Sequence, residues 1–326
     1  MLSRWNPLTP VAGRGAAPTQ DGPEPSCVDA ACVLAVDLGA THIRAALVGD
    51  DGSIVTRVKA RTAAEPGTDA GDRVAAVLEA IGVASATRAV VGVPGRVDYE
   101  TGLLEQANNL PASWCETLSS EALSRRIGLP VALASDADLA AVGEAYFGAG
   151  AGAAEVAYLT VSSGVGAGAV SRGRLLRGGR KLVEIGNLVV DHDAFARGEP
   201  CTFDELASGR ALERAIADAG LQTTPRGLEE LDRAGDAHAA AIRRRFVAIA
   251  AVAALNVAHC YAPDVIVLGG AVGLGEPLLI AEARRALDLR GPRHLGRPPE
   301  VRHAQLGDDA ALAGAAAWQT AVGGAQ

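Results

Sequence analysis

The sequence predicts an α/β protein built from two similar halves, and two observations lead to that prediction. Short buried strands alternate with helical segments in two successive blocks, residues 31–134 and the chain after position 136, which is typical of α/β folds. Each block also begins with a strand and a turn of small and hydroxyl residues, 37–41 in the first and 162–168 in the second. The chain of 326 residues is long enough for two domains of ordinary size.

The individual elements are identified from the periodicity of apolar residues and from the turn residues that bound each run. In the first block, strands are predicted over residues 32–36, 43–48, 54–60, 88–93 and 131–134, and helices over 69–81 and 118–127. In the second block, strands are predicted over 156–161, 167–171, 175–176 and 265–268, an extended segment over 188–190, and helices over 139–147, 228–261, 277–287 and 308–320. A break in the longest helix is expected near Gly235.

The composition indicates a globular protein and argues against several classes of function. Hydrophobic residues make up 49% of the chain and the net charge is −8, so a basic nucleic-acid surface is not expected. Five scattered cysteines without a Cys-x-x-Cys pair predict a reducing, cytoplasmic location. No uninterrupted apolar stretch approaches the roughly 20 residues that span a membrane. Residues 1–30 are rich in Pro, Gly, Ser and Ala, lack the apolar core of a signal peptide, and predict a flexible extension.

The turn between the first two strands has the composition of a phosphate-binding loop. Asp37 is followed closely by Gly39, Ala40 and Thr41. Backbone amides and a hydroxyl can bind phosphate oxygens, and a carboxylate can bind the Mg²⁺ that accompanies a nucleotide. An ordinary hairpin, in which Gly39 only supplies an unusual φ, would have the same local sequence.

Two further glycine-containing turns follow predicted strands of the second block. Ser163, Gly164 and Gly166 form the first, and Gly269 and Gly270 form the second. The spacing of the first differs from the dinucleotide fingerprint, and no helix follows it. Together the three turns predict a nucleotide site with phosphate-facing loops from both halves and a nucleoside lying against bare backbone.

Two carboxylates lie between a short strand and a helix of the sequence. Asp138 stands immediately before the apolar helical run and is expected to be its N-cap. Asp136 is then available as a general base that accepts the proton of an attacking hydroxyl. N-capping by Asp136 is the alternative.

Polar side chains that could recognise a polyol lie in two predicted loops. Asn109 belongs to the first loop, and Glu184 and Asn187 belong to the second. Amides and carboxylates can pair with several hydroxyls at once, although the same residue types also form turns. Two basic runs, residues 172–181 and 243–245, are expected on exposed faces.

The order of these segments resembles the ROK family (repressors, open reading frames, kinases), within the superfamily of sugar kinases and actin-like ATPases. The resemblance extends over residues 31–322. The motifs that carry it are Asp37-Leu-Gly-Ala-Thr41 with Arg44, Val91-Gly-Val-Pro-Gly95 with Val97-Asp98 and Thr101-Gly102, Asn109-Leu-Pro111, Ser135-Asp-Ala-Asp138 with Glu144, Glu184-Ile-Gly186, Leu206-Ala-Ser-Gly209, and Val265-Ile-Val-Leu-Gly-Gly270.

The resemblance implies a two-domain actin-like ATPase (ribonuclease H-like) fold with the active site in the interdomain cleft. The domains would be residues 31–135, joined by the C-terminal helix 308–322, and residues 136–307. The implied ATP-binding residues are Asp37, Gly39, Ala40, Thr41, Arg44, Ser163, Gly164, Gly166, Gly269 and Gly270, with Mg²⁺ near Asp37. The implied catalytic base is Asp136, and the implied acceptor-binding residues are Asn109, Asp136, Glu184, Asn187 and Asp204. A homodimer or larger homo-oligomer is expected.

The segment that holds a structural zinc in family kinases differs in this chain. The family pattern is Cys-x-Cys-Gly-x-x-Gly-Cys with a histidine after Glu-Ile-Gly, whereas this chain has only Cys201 there and Asn187 in place of the histidine. One thiolate cannot form a tetrahedral zinc site, and a pair with His192 would leave the site open, so no zinc is predicted. Asn187 and Asp204 would replace two side chains that bind sugar hydroxyls in relatives. The second phosphate motif also departs, with Ser162-Ser163-Gly164 in place of Gly-Thr-Gly, although Ser163 retains a hydroxyl. The ATP side is therefore expected to be retained and the acceptor side to be altered.

The expected activity is phosphoryl transfer from Mg-ATP to a hydroxyl of a hexose such as glucose, with no nucleic-acid or membrane partner. The altered acceptor side makes a modified sugar or a C7-cyclitol from a specialised pathway the main alternative. A sugar-sensing repressor is less expected, because only 36 residues precede Asp37, and a DNA-binding region needs more. A ligand-binding protein without catalysis is disfavoured by the presence of Asp37, Thr41 and Asp136.

Overall fold

The computed structural model describes residues 32–62, 68–82, 86–107, 110–177, 184–291 and 296–323. These residues form two compact units. Unit 1 comprises the described residues up to Leu139 together with Ala311–Gln319, and unit 2 comprises the described residues of Ala140–Ala310 and those from Thr320 onward. Each unit has its own sheet and its own hydrophobic core.

Unit 1 is built on a five-stranded sheet and a two-stranded ribbon. Its strands are β1 Cys32–Leu38, β2 His42–Val48, β3 Ile54–Arg61, β4 Ala86–Val93, β5 Arg96–Asp98, β6 Leu103–Gln106 and β7 Val131–Ser135. Its helices are α1 Ala70–Ile81, α2 Ala112–Thr117 and α3 Ser120–Ile127. The sheet has the order β3-β2-β1-β4-β7, and β5 pairs with β6. All seven residues of β1 are buried, as expected for a central strand covered on both faces.

The remaining elements begin with α4 Asp136–Phe147. The strands of unit 2 are β8 Glu155–Val161, β9 Val165–Ser171, β10 Arg174–Leu175, β11 Val265–Gly269 and β12 Glu300–His303. The further helices are α5 His192–Arg197, α6 Phe203–Ala207, α7 Gly209–Asp218, α8 Leu228–Arg233, α9 Ala237–Tyr261, α10 Ala271–Gly275, α11 Leu278–Arg290 and α12 Ala310–Val322. The sheet of unit 2 has the order β10-β9-β8-β11-β12. Neither α9 nor any other described helix combines the length and apolar character needed to cross a membrane.

The two sheets repeat one topology. In each, the first three strands of the unit form an antiparallel meander, and two later strands extend the sheet parallel to the first. The β1–β2 turn of unit 1 and the β8–β9 turn of unit 2 therefore occupy equivalent positions. This repetition confirms the two similar halves that the sequence predicts.

Several local predictions are refined by the structure. The expected break near Gly235 is confirmed, because Gly235 adopts a φ of +89° between α8 and α9. The exposed face expected for the run 243–245 is wrong for Arg243, which is only 6% exposed. Arg243 donates to both carboxylate oxygens of Glu276, at 2.7 and 2.8 Å, and to Asp232 at 2.9 Å. A buried arginine is stable only with such partners.

Candidate functional site

The β1–β2 turn is a three-residue loop whose backbone is fixed by neighbouring strands. Gly39 N–H donates to the carbonyl of His42 at 3.0 Å, and a Cβ on Gly39 would lie 2.9 Å from that oxygen. Glycine is therefore needed at position 39 because a Cβ would lie too close to this carbonyl. The φ of Gly39 is not positive, so supplying an unusual φ is not its role. Thr62 donates its hydroxyl to the Gly39 carbonyl at 2.6 Å and its N–H to the Thr41 carbonyl at 3.0 Å. Ala40 and Thr41 are exposed at the tip of the turn.

Asp37 and Arg44 lie directly opposite each other in the β1–β2 ladder and form an ion pair. Asp37 is buried, at 6% exposure, and Arg44 is half-buried. A carboxylate beside a turn of backbone amides supplies the hard oxygen ligand that Mg²⁺ prefers. The turn offers one such carboxylate, so Mg²⁺ would complete its coordination with phosphate oxygens and water, as it usually does in nucleotide sites. The donor set therefore fits Mg²⁺ delivered with a nucleotide.

Asp37 and Asp136 are brought to the same edge of the unit 1 sheet. Along the parallel strands β1, β4 and β7, Asp37 is aligned with Gly92 and Gly92 with Ala134. Asp136 follows two positions later, at the beginning of α4. A Cβ on Gly92 would lie 3.4 Å from the Val36 carbonyl and 3.7 Å from Asp136 Cα. Strand β4, which lies between β1 and β7, therefore has no side chain at this position. Two strand spacings separate β1 from β7, which corresponds to about 10 Å.

The N-cap role expected for Asp138 is wrong. Helix α4 begins at Asp136, so Asp138 lies inside its first turn, and Asp138 is only 2% exposed. The hydroxyl of Tyr99 donates to Asp138 Oδ2 at 2.5 Å and accepts the N–H of Ser135 at 3.1 Å. Asp136 is half-buried, and its Oδ1 accepts the N–H of Ala137 at 2.7 Å. It therefore stands at a helix N-terminus, where the helix dipole stabilises a negative charge.

Tyr99 fixes the residues on either side of Asp136. Burial and the nearby Asp138 carboxylate raise the pKa of Tyr99 well above its usual value, so its hydroxyl stays a donor. Its ring contacts Trp318 of α12 edge-on, with centroids 5.6 Å apart. Because one hydroxyl binds both the end of β7 and the first turn of α4, the turn that carries Asp136 is fixed in place.

The β8–β9 turn of unit 2 is the counterpart of the β1–β2 turn. Ser162 N–H donates to the Gly164 carbonyl at 2.8 Å, and the Ser162 carbonyl accepts the N–H of Gly209 at 2.7 Å. Ser163 is exposed at the tip, and Gly166 lies half-buried in β9. The hydroxyl and bare backbone that the sequence predicts for phosphate binding are therefore present in one tight turn.

Gly269 and Gly270 end β11 at the same edge of the unit 2 sheet. Gly269 is aligned with Thr160 of β8. Gly270 has a φ of +83°, and a Cβ there would lie 2.3 Å from the Val161 carbonyl. Only glycine fits this conformation and spacing, so the backbone after β11 passes directly against the end of β8.

The predicted acceptor-binding loop packs against the β8–β9 turn. Glu184 precedes a 3₁₀ turn, Ile185–Asn187, and Asn187 donates its amide to Glu184 Oε2 at 3.1 Å. A Cβ on Gly186 would lie 2.2 Å from the Val165 carbonyl. This close approach puts the Glu184 loop beside Val165, the residue that follows the β8–β9 turn. Asn187 is exposed and Glu184 is half-buried.

Asp204 is bound to the same turn. Its Oδ1 accepts the N–H of Val165 at 2.9 Å, and its Oδ2 accepts Arg210 Nη2 at 2.9 Å. A Cβ on Gly164 would lie 2.8 Å from Asp204 Oδ1. The structure therefore brings Asp204, the predicted phosphate turn and the Glu184 loop together within unit 2. Asn109, also predicted to bind the acceptor, lies outside the described residues, as does the segment 178–183.

The segment around Cys201 is organised by hydrogen bonds. Glu205 Oε2 accepts the N–H groups of Cys201 and Thr202 at 2.9 and 3.0 Å, and Thr202 and Glu205 form a capping box at the start of α6. Burial and Glu205 raise the pKa of Cys201, which disfavours the thiolate that binds metals. His192 is exposed and pairs with Asp193 at 2.7 Å. Within the described part of the chain, no group of three or more His, Cys, Asp or Glu side chains could hold a metal ion.

Sequence reasoning missed three residues that shape this site: Thr62, Tyr99 and Arg210. Thr62 and Tyr99 act through contacts 23 and 39 residues away along the chain, so no local pattern marks them. Arg210 follows the Leu206-Ala-Ser-Gly209 motif directly. Its proximity to a predicted site motif is a signal that the sequence did contain.

Known proteins resemble this chain over nearly all of the region that carries the predicted motifs. The family model described as the ROK family matches residues 33–322. A glucokinase of Thermotoga maritima is 30% identical over 309 residues, which cover 87% of this chain and 96% of that protein.

Solved structures give the same result at the level of the fold. A ROK hexokinase from Thermus thermophilus is 31% identical, with a TM-score of 0.74 over 88% of this chain and 97% of that chain. A ROK family glucokinase from Streptomyces griseus, solved in complex with glucose and AMPPNP, is 28% identical, with a TM-score of 0.71 over 87% of this chain and 98% of that chain. These similarities confirm the α/β fold that the sequence predicts and the actin-like architecture that the family resemblance implies.

Proposed function

This chain belongs to the ROK family and is an ATP-dependent sugar kinase, and we propose that it phosphorylates a hydroxyl of a hexose or hexose-like polyol with Asp136 as general base. The observation that carries the assignment of Asp136 is its position at the sheet edge shared with Asp37, on the first turn of α4. One carboxylate at that edge would serve the phosphate tail and the other the acceptor.

The segments proposed to bind phosphate oxygens of ATP are the Asp37–Thr41 turn and the Ser163–Gly166 turn. Each of these two hairpin turns presents a hydroxyl and a glycine backbone. The bare backbone at Gly269 and Gly270 would lie against the nucleoside. Mg²⁺ bound with ATP would neutralise phosphate charge near Asp37.

Asp136 would orient the attacking hydroxyl and accept its proton. Its backbone is fixed by the bonds of Tyr99 to Ser135 and Asp138, so little freedom is lost when the acceptor binds. Positioning and charge neutralisation supply most of the rate enhancement in phosphoryl transfer, because the protein does little covalent chemistry itself.

The test of the base is Asp136→Asn in the full chain, with ADP release measured over a panel of hexoses, amino sugars and cyclitols. We expect kcat to fall by about 10²- to 10⁴-fold, as for loss of a general base, with an unchanged thermal midpoint and unchanged AMPPNP affinity. Asp193→Asn is the matched control, because Asp193 is an exposed carboxylate in the first turn of α5. Near-normal turnover of a folded Asp136→Asn variant would contradict the assignment.

The acceptor is proposed to be glucose or a related hexose, phosphorylated on its primary hydroxyl, because the similar kinases named above are glucokinases or a hexokinase. A modified sugar or C7-cyclitol is the second candidate. It is favoured by the substitutions on the acceptor side, where Asn187 is bonded to Glu184 and Asp204 is bonded to Arg210. The acceptor panel separates the two. The homo-oligomer and the cytoplasmic location remain predictions from the resemblance and the composition.

A further inference from the structure

Arg210 lies next to the predicted phosphate turn of unit 2. It is the second residue of α7, whose first residue, Gly209, donates its N–H to the Ser162 carbonyl at 2.7 Å. That bond attaches the beginning of the helix to the turn. A Cβ on Gly164 would lie 3.6 Å from Arg210 Nη2. The guanidinium is therefore in van der Waals range of the space that Gly164 leaves empty.

The guanidinium is anchored by Asp204. Arg210 Nη2 donates to Asp204 Oδ2 at 2.9 Å, while Asp204 Oδ1 accepts the N–H of Val165 at 2.9 Å. The side chains of Arg210 and Asp204 are 38% and 30% exposed, so a ligand can reach them from solvent. Because the carboxylate is itself fixed by a backbone amide, the planar guanidinium has a defined place beside the turn.

We propose that Arg210 binds a phosphate oxygen of the nucleotide and that Asp204 positions it for this contact. The inference rests on the proposed ATP-dependent function. Residues 162–166 of the turn carry no charged side chain, so the turn offers only neutral amides and hydroxyls, whereas a triphosphate carries several negative charges. Arginine matches phosphate geometry with paired N–H donors, and charge-assisted hydrogen bonds are about twice as strong as neutral ones. An arginine at the transferred phosphoryl group also stabilises the charge of the transition state.

The same geometry changes the role expected for Asp204. A carboxylate with one oxygen on Val165 and the other on Arg210 is a positioning group for the phosphate side of the reaction. Its loss should therefore be felt in nucleotide binding, and not only in acceptor binding.

The direct test is titration of the full chain with Mg-AMPPNP, with adenosine as the phosphate-free probe. Arg210→Ala should weaken AMPPNP binding by about ten- to a hundredfold, the range expected for a lost charge-assisted contact, and should leave adenosine binding unchanged. Arg210→Lys should recover part of the affinity, because lysine retains the positive charge but lacks the paired N–H donors of the guanidinium. Arg214→Ala is the matched control: Arg214 lies one turn further along α7, donates to the Glu205 carbonyl at 2.7 Å, and should change AMPPNP affinity less than twofold.

Asp204→Asn tests the positioning role. It should weaken AMPPNP binding in the same direction as Arg210→Ala, and the double variant should be less than additive, because both changes remove one contact. Unchanged AMPPNP affinity in a folded Arg210→Ala or Arg210→Lys variant would overturn the proposal. A rise in the acceptor KM alone would also overturn it and would assign Arg210 to an acidic acceptor. If the wild-type chain did not bind AMPPNP, the proposed function itself would fail as well.

Discussion

Removal of one hydroxyl, by Tyr99→Phe, tests how the turn that carries Asp136 is held. The hydroxyl of Tyr99 donates to the buried Asp138 and accepts the N–H of Ser135. The variant keeps the aromatic ring and its edge-on contact with Trp318. Any loss of stability therefore reports the two hydrogen bonds and not the packing of the ring.

The magnitude follows from the two bonds. A hydrogen bond to a charged acceptor contributes about 1.5–3 kcal/mol, and a neutral one about 1 kcal/mol. We therefore expect the free energy of unfolding of unit 1 to fall by about 3 kcal/mol. Ser124→Ala is the matched control within unit 1, because the hydroxyl of Ser124 donates to the neutral carbonyl of Ser120 at 2.7 Å and accepts the N–H of Val131 at 2.9 Å, and its loss should cost no more than about 2 kcal/mol.

The assay is urea unfolding followed by tryptophan fluorescence in a Trp5→Phe background. The two remaining tryptophans, Trp114 and Trp318, both belong to unit 1, so the signal follows the unit that contains Tyr99. The midpoint should shift while the m-value stays the same, because the surface exposed on unfolding does not change. A loss below about 0.5 kcal/mol, the range of ordinary surface substitutions, would refute the reasoning.

The remaining predictions concern pH, a buried arginine and divalent metals. The pKa of Tyr99 is raised in the folded state. Its protonated hydroxyl therefore stabilises the fold fully below a pH of about 10, and this stabilisation is lost as the pH rises further. Tyr99→Phe should accordingly reduce the change of the free energy of unfolding with pH in the alkaline range. Arg243→Ala leaves the buried carboxylate of Glu276 without its paired donor. The free energy of unfolding measured in urea should fall by about 3–5 kcal/mol. For the control Arg244→Ala, at the exposed neighbouring residue, it should fall by less than about 0.5 kcal/mol. Because the proposed transfer uses Mg-ATP, excess EDTA should stop turnover. It should shift the calorimetric midpoint by less than about 2 °C, because Glu205 holds the Cys201 segment by hydrogen bonds. A large shift would indicate a structural metal.

The sequence predicts the sheets well because their signal is local. Buried runs such as residues 32–36 and 265–268 are continuous, apolar and bounded by turn residues, and β1 and β11 extend them by only a residue or two. The short helices between residues 192 and 218 were not predicted. Their beginnings are set by capping side chains, such as Asp191 and Ser208, and they are too short for helical periodicity to be recognised.

The errors at Asp138 and Arg243 have a common cause. Both are charged residues whose burial depends on a partner distant in the sequence, Tyr99 for the first and Glu276 for the second. A rule based on neighbouring residues makes Asp138 a helix cap and Arg243 a surface residue, because it cannot include such a partner. The free energy of burying a charge is decided by that partner.

The turns proposed for the donor side are easier to recognise in the sequence than the side chains proposed for the acceptor side, and the reason is physical. Phosphate binding uses backbone amides in tight turns, and the residues that allow such turns, Gly39 and Gly270 among them, are visible in the sequence because no other side chain fits. Acceptor recognition uses individual side chains whose function depends on what else they contact. Asp204 has the residue type of a sugar ligand, yet both of its oxygens already accept hydrogen bonds, from Val165 and Arg210. A hydroxyl of the acceptor must either displace one of these donors or share an oxygen with it. The Asp204–Arg210 pair should therefore influence which acceptors bind, in addition to its proposed role in phosphate binding.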